Sequence, residues 1–469
     1  MAATATTTKQ VIGYLPNDQP PFGKMLLLGF QHVLTMFPAT VLCALLMGFS
    51  VSTVLTVTGL GTIVALLGSK WAMGKYIPLY YGSSFSYLAA VMAITKTSFG
   101  QVAPDHILSV VQAGFLATGC INVIVGLIIR LAGGKKAVDL VLPAYITGPV
   151  ACTIGIGLGA TALNEASGFN AASAPAGIWQ WWVVALITLL AAIMFSVYLQ
   201  NKGFWGMLPI LYAAILGYIV SIPFGLTPAQ LFTSPFFVTP HFTFPVFNDP
   251  LTITVIFGVG VMAIATIPES TAHLYQISLY VDHLAEEQGR EKFGLSEYIG
   301  LNLMLDGLDD IVNGIFGSTA GTNYGENNSL MVITRNYSGP VLLTAGCIAI
   351  ILGFIGPLKD IVYGLPTAAV GGLMIYLFGV IGMQGVALMI SEKVNLFDPR
   401  QLAVGAVILI VGIGGNIGYA GGFLPVNGFL SGIFPMGLPA IATGAVLGIL
   451  INLVFLFFKP SVERTNPND

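Results

Sequence analysis

Long apolar runs recur along almost the whole chain, each followed by a short polar break. A helix needs about 20 predominantly apolar residues to cross the hydrocarbon core of a bilayer. Runs of that order lie near 25–46, 50–68, 83–95, 108–130, 139–160, 179–199, 205–222, 251–275, 297–316, 326–338, 341–357, 364–386, 401–420 and 436–458. The runs at 83–95 and 326–338 are too short, and too rich in Gly, Ser and Asn, to span as ordinary helices. The pattern predicts an all-α polytopic membrane protein of about fourteen transmembrane segments.

The polar breaks orient those segments, because cytoplasmic loops carry an excess of Lys and Arg. With the N-terminus inside, the residues Lys9, Lys24, Lys70, Lys75, Arg130, Lys135, Lys136, Lys202, Arg290, Lys292, Arg335, Lys393, Arg400, Lys459 and Arg464 fall on the cytoplasmic side. Only Lys96 and Lys359 fall outside. An even number of spans follows, with cytoplasmic tails at 1–24 and 459–469. The one long charged stretch, Asp282 to Lys292, reads as a solvated cytoplasmic linker.

Each short run is the third of seven in its half of the chain. Tyr81-Gly82-Ser83-Ser84 opens the first, and Tyr324-Gly325-Glu326-Asn327 opens the second. Seven is odd, so the half at 236–458 would insert upside down relative to the half at 25–235. Broken segments at matching positions of inverted halves are the sequence pointer to a transporter's binding site.

Composition narrows the class further. Of 469 residues, 55% are hydrophobic and only 8% charged, with a mean hydropathy of +0.86. A soluble chain carries roughly a quarter charged residues, so lipid covers most of this surface. A net charge of −3 gives no case for nucleic acid. Cys43, Cys120, Cys152 and Cys347 sit in apolar runs without paired spacing and read as small packing residues. Met1 to Gly23 has no apolar leader core, so the first span is expected to direct insertion. No nucleophile elbow, metal-ligand spacing or nucleotide-binding signature occurs, so no enzymatic activity and no cofactor are expected.

Acidic residues at bilayer depth cost roughly 2.5 kcal/mol or more each. Here they are Glu269, Asp306, Asp309, Asp310 and Glu326. Glu269 and His273 are four apart and share one helix face, while Pro268 removes a backbone donor beside the carboxylate. A snorkelling pair at a helix end is the plainer account of these two. Glu326 opens a short segment, where the free N–H groups of a half-helix point at whatever fills the cavity. The same holds for Ser83, Ser84 and Phe85. Such donors, with two carboxylate acceptors, suit a planar heterocycle with C=O and N–H edges, and Phe85 and Tyr324 would stack on its faces. A simple inorganic anion would be repelled by the carboxylates. Glu269, Glu326 and His273 in one cavity would also form a titratable cluster able to share a proton. His32, early in the first span, reads either as part of that cluster or as a packing residue. Asp306, Asp309 and Asp310 would brace broken helices; a cation site at Asp309 and Asp310 is the alternative.

These residues resemble the nucleobase–ascorbate transporter family, on its bacterial uracil-permease branch. The most specific match is Glu326-Asn327-Asn328-Ser329-Leu330-Met331-Val332-Ile333-Thr334-Arg335, against a pattern of Gln or Glu, Asn, any residue, Gly, four residues, Thr, then Arg, Lys or Gly. Phe30-Gln31-His32, Tyr81-Gly82-Ser83-Ser84-Phe85, Thr322-Asn323-Tyr324-Gly325, and Glu269 with His273 support it.

The resemblance implies two inverted seven-helix repeats. Segments 1–4 and 8–11 form a core, segments 5–7 and 12–14 a gate, and short strands open segments 3 and 10. It implies a multi-pass inner-membrane protein, commonly a homodimer, importing a uracil-like nucleobase with H+. Glu269 and Glu326 would hold the base, with backbone at Phe85 and Gly325, and His273, Asn327 and Ser84 would serve the proton network. There are departures. Ser329 stands where the motif has Gly, Phe378 where relatives offer a Tyr, and Asp309 and Asp310 add charge that leaves Na+ open as the coupling ion. A xanthine or purine substrate, Na+ coupling, or an anion transporter of the same architecture are the alternatives.

Overall fold

A computed structural model describes residues 13–169, 178–199, 202, 205–206, 208–227 and 232–458. Lys9, Lys459, Arg464 and the tail at 459–469 lie outside them. In chain order the elements of the first half are α1 (Phe22–Met47), α2 (Val51–Met73), β1 (Tyr81–Ser83), a 3-10 turn (Phe85–Tyr87), α3 (Leu88–Thr95), α4 (Asp105–Leu131), α5 (Lys135–Val141), α6 (Ala144–Gly157), α7 (Gly159–Ser167), α8 (Ile178–Tyr198) and α9 (Pro209–Ser221). The second half has α10 (Pro250–Val259), α11 (Ala263–Glu287), α12 (Ile299–Phe316), β2 (Gly321–Asn323), α13 (Gly325–Thr334), α14 (Gly339–Gly353), α15 (Gly356–Tyr363), α16 (Thr367–Ser391), α17 (Pro399–Leu409), α18 (Gly415–Gly418), β3 (Phe423–Leu424), α19 (Phe429–Ile433), β4 (Leu438–Pro439) and α20 (Ala440–Phe457).

Among the described residues nine helical stretches are long and apolar enough to cross a membrane, and Phe85–Thr95, Pro209–Phe224 and Gly339–Gly353 are shorter apolar helices. With α12, whose three aspartates dilute its hydropathy, and the half-helix α13, they account for every apolar run in the sequence. Local signals set the ends. Asp249 and Asp398 cap α10 and α17, each followed by a proline at the first helical position. Gly48 and Gly317 close α1 and α12 at φ 77° and 82°, a left-handed conformation that costs other residues more.

One boundary moves. The stretch expected to be a linker from Asp282 is helical through Glu287, because α11 continues past the membrane. His283 pairs with Glu287 at 3.1 Å one turn on, and Asp282 accepts from the N–H groups of Phe293 and Gly294 at 2.7 and 3.1 Å.

Helix crossings rest on glycine. A Cβ on Gly119 would stand 2.5 Å from the Gly307 carbonyl, and one on Gly126 2.6 Å from the Gly300 carbonyl, so α4 and α12 meet backbone to backbone. Gly59 and Gly346 do the same for α2 and α14, at 2.5 Å from the Gly346 carbonyl. In a bilayer, where lipid is as apolar as leucine, such close approach is what favours helix association.

The two broken segments meet in an antiparallel ribbon, with Tyr81 opposite Asn323, Gly82 opposite Thr322 and Ser83 opposite Gly321. Each strand is followed by a short helix, and both half-helices end on a basic residue in the left-handed region: Lys96 at φ 50° after α3, Arg335 at φ 51° after α13.

Candidate functional site

The ribbon is tied down on every side. Thr62 of α2 donates to the Tyr81 carbonyl at 3.0 Å and accepts from its N–H at 3.1 Å. From α12, Asp310 accepts the Gly321 N–H at 2.8 Å. Tyr324 donates to the Ser83 carbonyl at 2.9 Å and lies 3.0 Å from the Thr40 hydroxyl of α1, which donates to it. The ring of Tyr324 covers Gly82, where any Cβ would enter it. Two half-helices are thereby held with their N-termini at one depth.

Glu269, on α11 just past Pro268, and Glu326, in the first turn of α13, are both half-buried and near enough for their charges to act on each other. Glu269 Oε2 makes no hydrogen bond among the described residues although it is buried. The first turn of α13 has no side-chain cap, so its N–H groups are left without a side-chain partner.

His273 lies one turn beyond Glu269. Its Nδ1 is 2.8 Å from both the backbone and the side-chain oxygen of Asn323. The Asn323 amide is oriented in turn, because its Nδ2 donates to Ser270 at 2.7 Å, beside the Asn302 amide donating to the same hydroxyl at 2.9 Å. Two oxygens face Nδ1, so Nδ1 carries the proton of the neutral ring and Nε2 is the acceptor. Nε2 points at Gly325, where a Cβ would stand 2.8 Å away. The histidine and the α13 N-terminus meet only because residue 325 has no side chain.

Asn327 donates to His32 at both Nδ1 and the backbone carbonyl, 3.1 Å each, which joins α13 to α1 deep in the protein. Phe85 is 9% exposed and packs edge-on against Phe378 of α16, with ring centroids 5.4 Å apart at 76°. That contact is where the first broken segment touches the long helix of segment 12.

Several expected roles change. Tyr324 is buried with its hydroxyl occupied and its ring on Gly82, so it braces the ribbon rather than offering a stacking face. The Ser84 N–H donates to the Ala320 carbonyl at 2.9 Å and is not free for a ligand, while its hydroxyl accepts from the Ser86 N–H at 3.3 Å and keeps its own O–H to donate. Ser329 is exposed, and its hydroxyl bonds back to the Gly325 carbonyl at 3.0 Å, within its own helix.

Asp309 and Asp310 are engaged by neighbouring amides and backbone. Asp310 also accepts from Asn122 at 3.1 Å, and Asp309 from Asn313 at 2.9 Å. A Cβ at Gly61 or Gly321 would collide with the Asp309 carboxylate, which is wedged between α2 and β2. No group of three or more His, Cys, Asp or Glu with metal-holding geometry occurs among the described residues.

The sequence reading missed Thr40, Thr62, Ser270 and Asn302, the polar side chains that orient the site. Their signal was weak: single hydroxyl or amide residues in apolar runs, which most often bond their own helix.

The sequence model of the Permease family matches residues 23–420. A uracil permease of Bacillus caldolyticus is 32% identical over 443 residues, covering 93% of each chain. The uracil permease of Escherichia coli strain K12 is 30% identical, over 96% of this chain and 94% of that one. Among solved structures, the transmembrane domain of the cyanobacterial bicarbonate transporter BicA superposes with a TM-score of 0.60 at 15% identity, covering 94% of this chain and 98% of that one. The murine anion transporter Slc26a9 in its inward-facing state gives 0.62 at 13% identity, over 94% and 69%. At those identities the likeness concerns fold alone. The family match over most of the sequence, with relatives of this identity along nearly its full length, makes this chain a member of the permease family, an integral membrane transporter and not an enzyme.

Proposed function

We propose that this permease imports a nucleobase, uracil, by proton symport. One observation carries the reading: Glu269 and Glu326 lie within reach of each other's charge at the head of α13, and Glu269 retains a buried oxygen without a hydrogen-bond partner among the described residues. A uracil ring offers N–H donors to those carboxylates and carbonyls to the N–H groups at Phe85 and Gly325. The relatives named uracil permeases support the substrate. The anion-transporting fold neighbours share the architecture, but paired carboxylates are hostile to a small anion.

Proton coupling rests on His273 Nε2, an acceptor beside Glu326 at the head of α13. Protonating this cluster neutralises the site and lowers the cost of carrying it through the bilayer. Segments 1–4 and 8–11 move as a core against a gate of segments 5–7 and 12–14. The pairing supports inverted repeats: segment 4 crosses 9 on glycines, and its repeat-related pair, 11 and 2, does the same. Both tails are assigned to the cytoplasm of a bacterial inner membrane, and the functional unit to a homodimer.

Uptake of labelled uracil into proteoliposomes tests this, with and without an imposed pH gradient and with choline replacing sodium. Accumulation driven by an acidic exterior and indifferent to sodium is expected. Gradient-independent equilibration would remove the coupling, and accumulation of xanthine in place of uracil would change the substrate.

A further inference from the structure

A short segment before the first span is bound into the structure more tightly than a tail requires. Tyr14 donates its N–H to the Arg335 carbonyl at 3.0 Å and accepts from the Tyr337 N–H at 2.8 Å, a parallel bridge to Asn336. Pro16 accepts from Gly339 at 2.9 Å, and the Asp18 carbonyl from the Ser338 hydroxyl at 2.6 Å. Leu15 between them is completely buried. Four hydrogen bonds, made by Tyr14, Pro16 and Asp18, therefore fall on the junction where α13 ends and α14 begins.

The other side of the segment grips different elements. Asp18 receives Arg290, at the end of the α11 extension, at 2.8 and 2.9 Å, and the Gly13 carbonyl receives Gln288 at 3.1 Å. Asn17 accepts from Lys70 and from the Tyr76 N–H at 3.2 Å each, and donates to the Gly74 carbonyl at 3.3 Å, all at the end of α2. Arg335 itself pairs with Glu287.

The helix so gripped is short. α13 has ten residues, no side-chain cap at its start and a strained left-handed residue at its end. A rigid short helix transmits displacement along its axis, so what fixes Arg335 also fixes Glu326 two and a half turns away.

We infer that residues 13–18 form a strap that positions the α13 half-site, setting the height of Glu326 from the opposite end of its helix. These are positioning residues. The inference deepens the proposed function, since it assumes that Glu326 meets the substrate.

The test uses full-length protein carrying Leu15→Asp, with Leu15→Met as the conservative control. Hydrogen exchange is read by mass spectrometry, without substrate, on peptides from α13 and from the α4–α12 pair. Leu15→Asp is expected to speed exchange in α13 about tenfold or more, leave α4 and α12 unchanged, and raise the uracil KM by a similar factor with little change in maximal rate. Leu15→Met should behave as the parent. Unchanged exchange in α13, or faster exchange in all helices alike, overturns the strap. The exchange result stands even where the parent protein fails to take up uracil, so the two readings fail separately.

Discussion

His273 and Asn323 meet with the imidazole Nδ1 2.8 Å from both oxygens that the asparagine offers. Because Asn323 Nδ2 is committed to Ser270, the asparagine cannot turn round, and the tautomer of the histidine is fixed from two residues away. Selective 15N-histidine NMR, with His273→Gln as the blank, should show a protonated Nδ1 in the neutral form. A dominant Nε2–H signal would sink the assignment. Asn323→Leu should cost about 1–3 kcal/mol of stability, since it leaves buried polar partners unsatisfied.

The two carboxylates are expected to fail differently. Glu269→Gln should weaken uracil binding about a hundredfold, the scale of a lost charge-assisted hydrogen bond. Glu326→Gln should retain binding but lose the dependence of uptake on the pH gradient. Equilibrium binding and gradient-driven uptake measured on the same preparations separate the two; a Glu326→Gln protein with normal gradient dependence would contradict the role given to that residue.

Gly82 is a packing requirement with a named partner. Gly82→Ala would push a methyl into the Tyr324 ring and should cost about 1–3 kcal/mol, the range for overpacking. Adding Tyr324→Leu to Gly82→Ala should recover part of the melting temperature lost in detergent. No recovery would mean that the ring is not what Gly82 accommodates.

Asp249 gives a pH dependence outside the membrane. Its carboxyl is held below the usual value of 3.8 by the Leu251 N–H, then by His106 at 2.6 Å. A depressed folded-state value means that the cap is fully effective above about pH 4 and is lost as pH falls through that lower value. Amide exchange at the start of α10 should therefore accelerate only under strong acid, and Asp249→Ala should show the fast rate at neutral pH.

What was legible in the sequence followed from solvent. Lipid demands unbroken apolar runs, so each segment announced itself, and the two that broke the rule are the two that pair as β1 and β2. Glu269, Glu326 and His273 were legible because charge at that depth is costly. The partners of Tyr324 and Ser84 were not legible, because their neighbours in space, Gly82, Thr40 and Ala320, are far away in sequence. The aspartates of α12 divided in the same way: their cost was visible, but not that Asp310 would be used up on the Gly321 N–H.

The glycine crossings join α2 to α14 and α4 to α12, so each links a helix of one half to a helix of the other. During synthesis α2 and α4 leave the ribosome long before their partners exist. Until then they must wait in lipid with bare backbone exposed along one face. Biogenesis of this permease is thus an assembly of two incomplete halves within one polypeptide, and the first half depends on the arrival of the second.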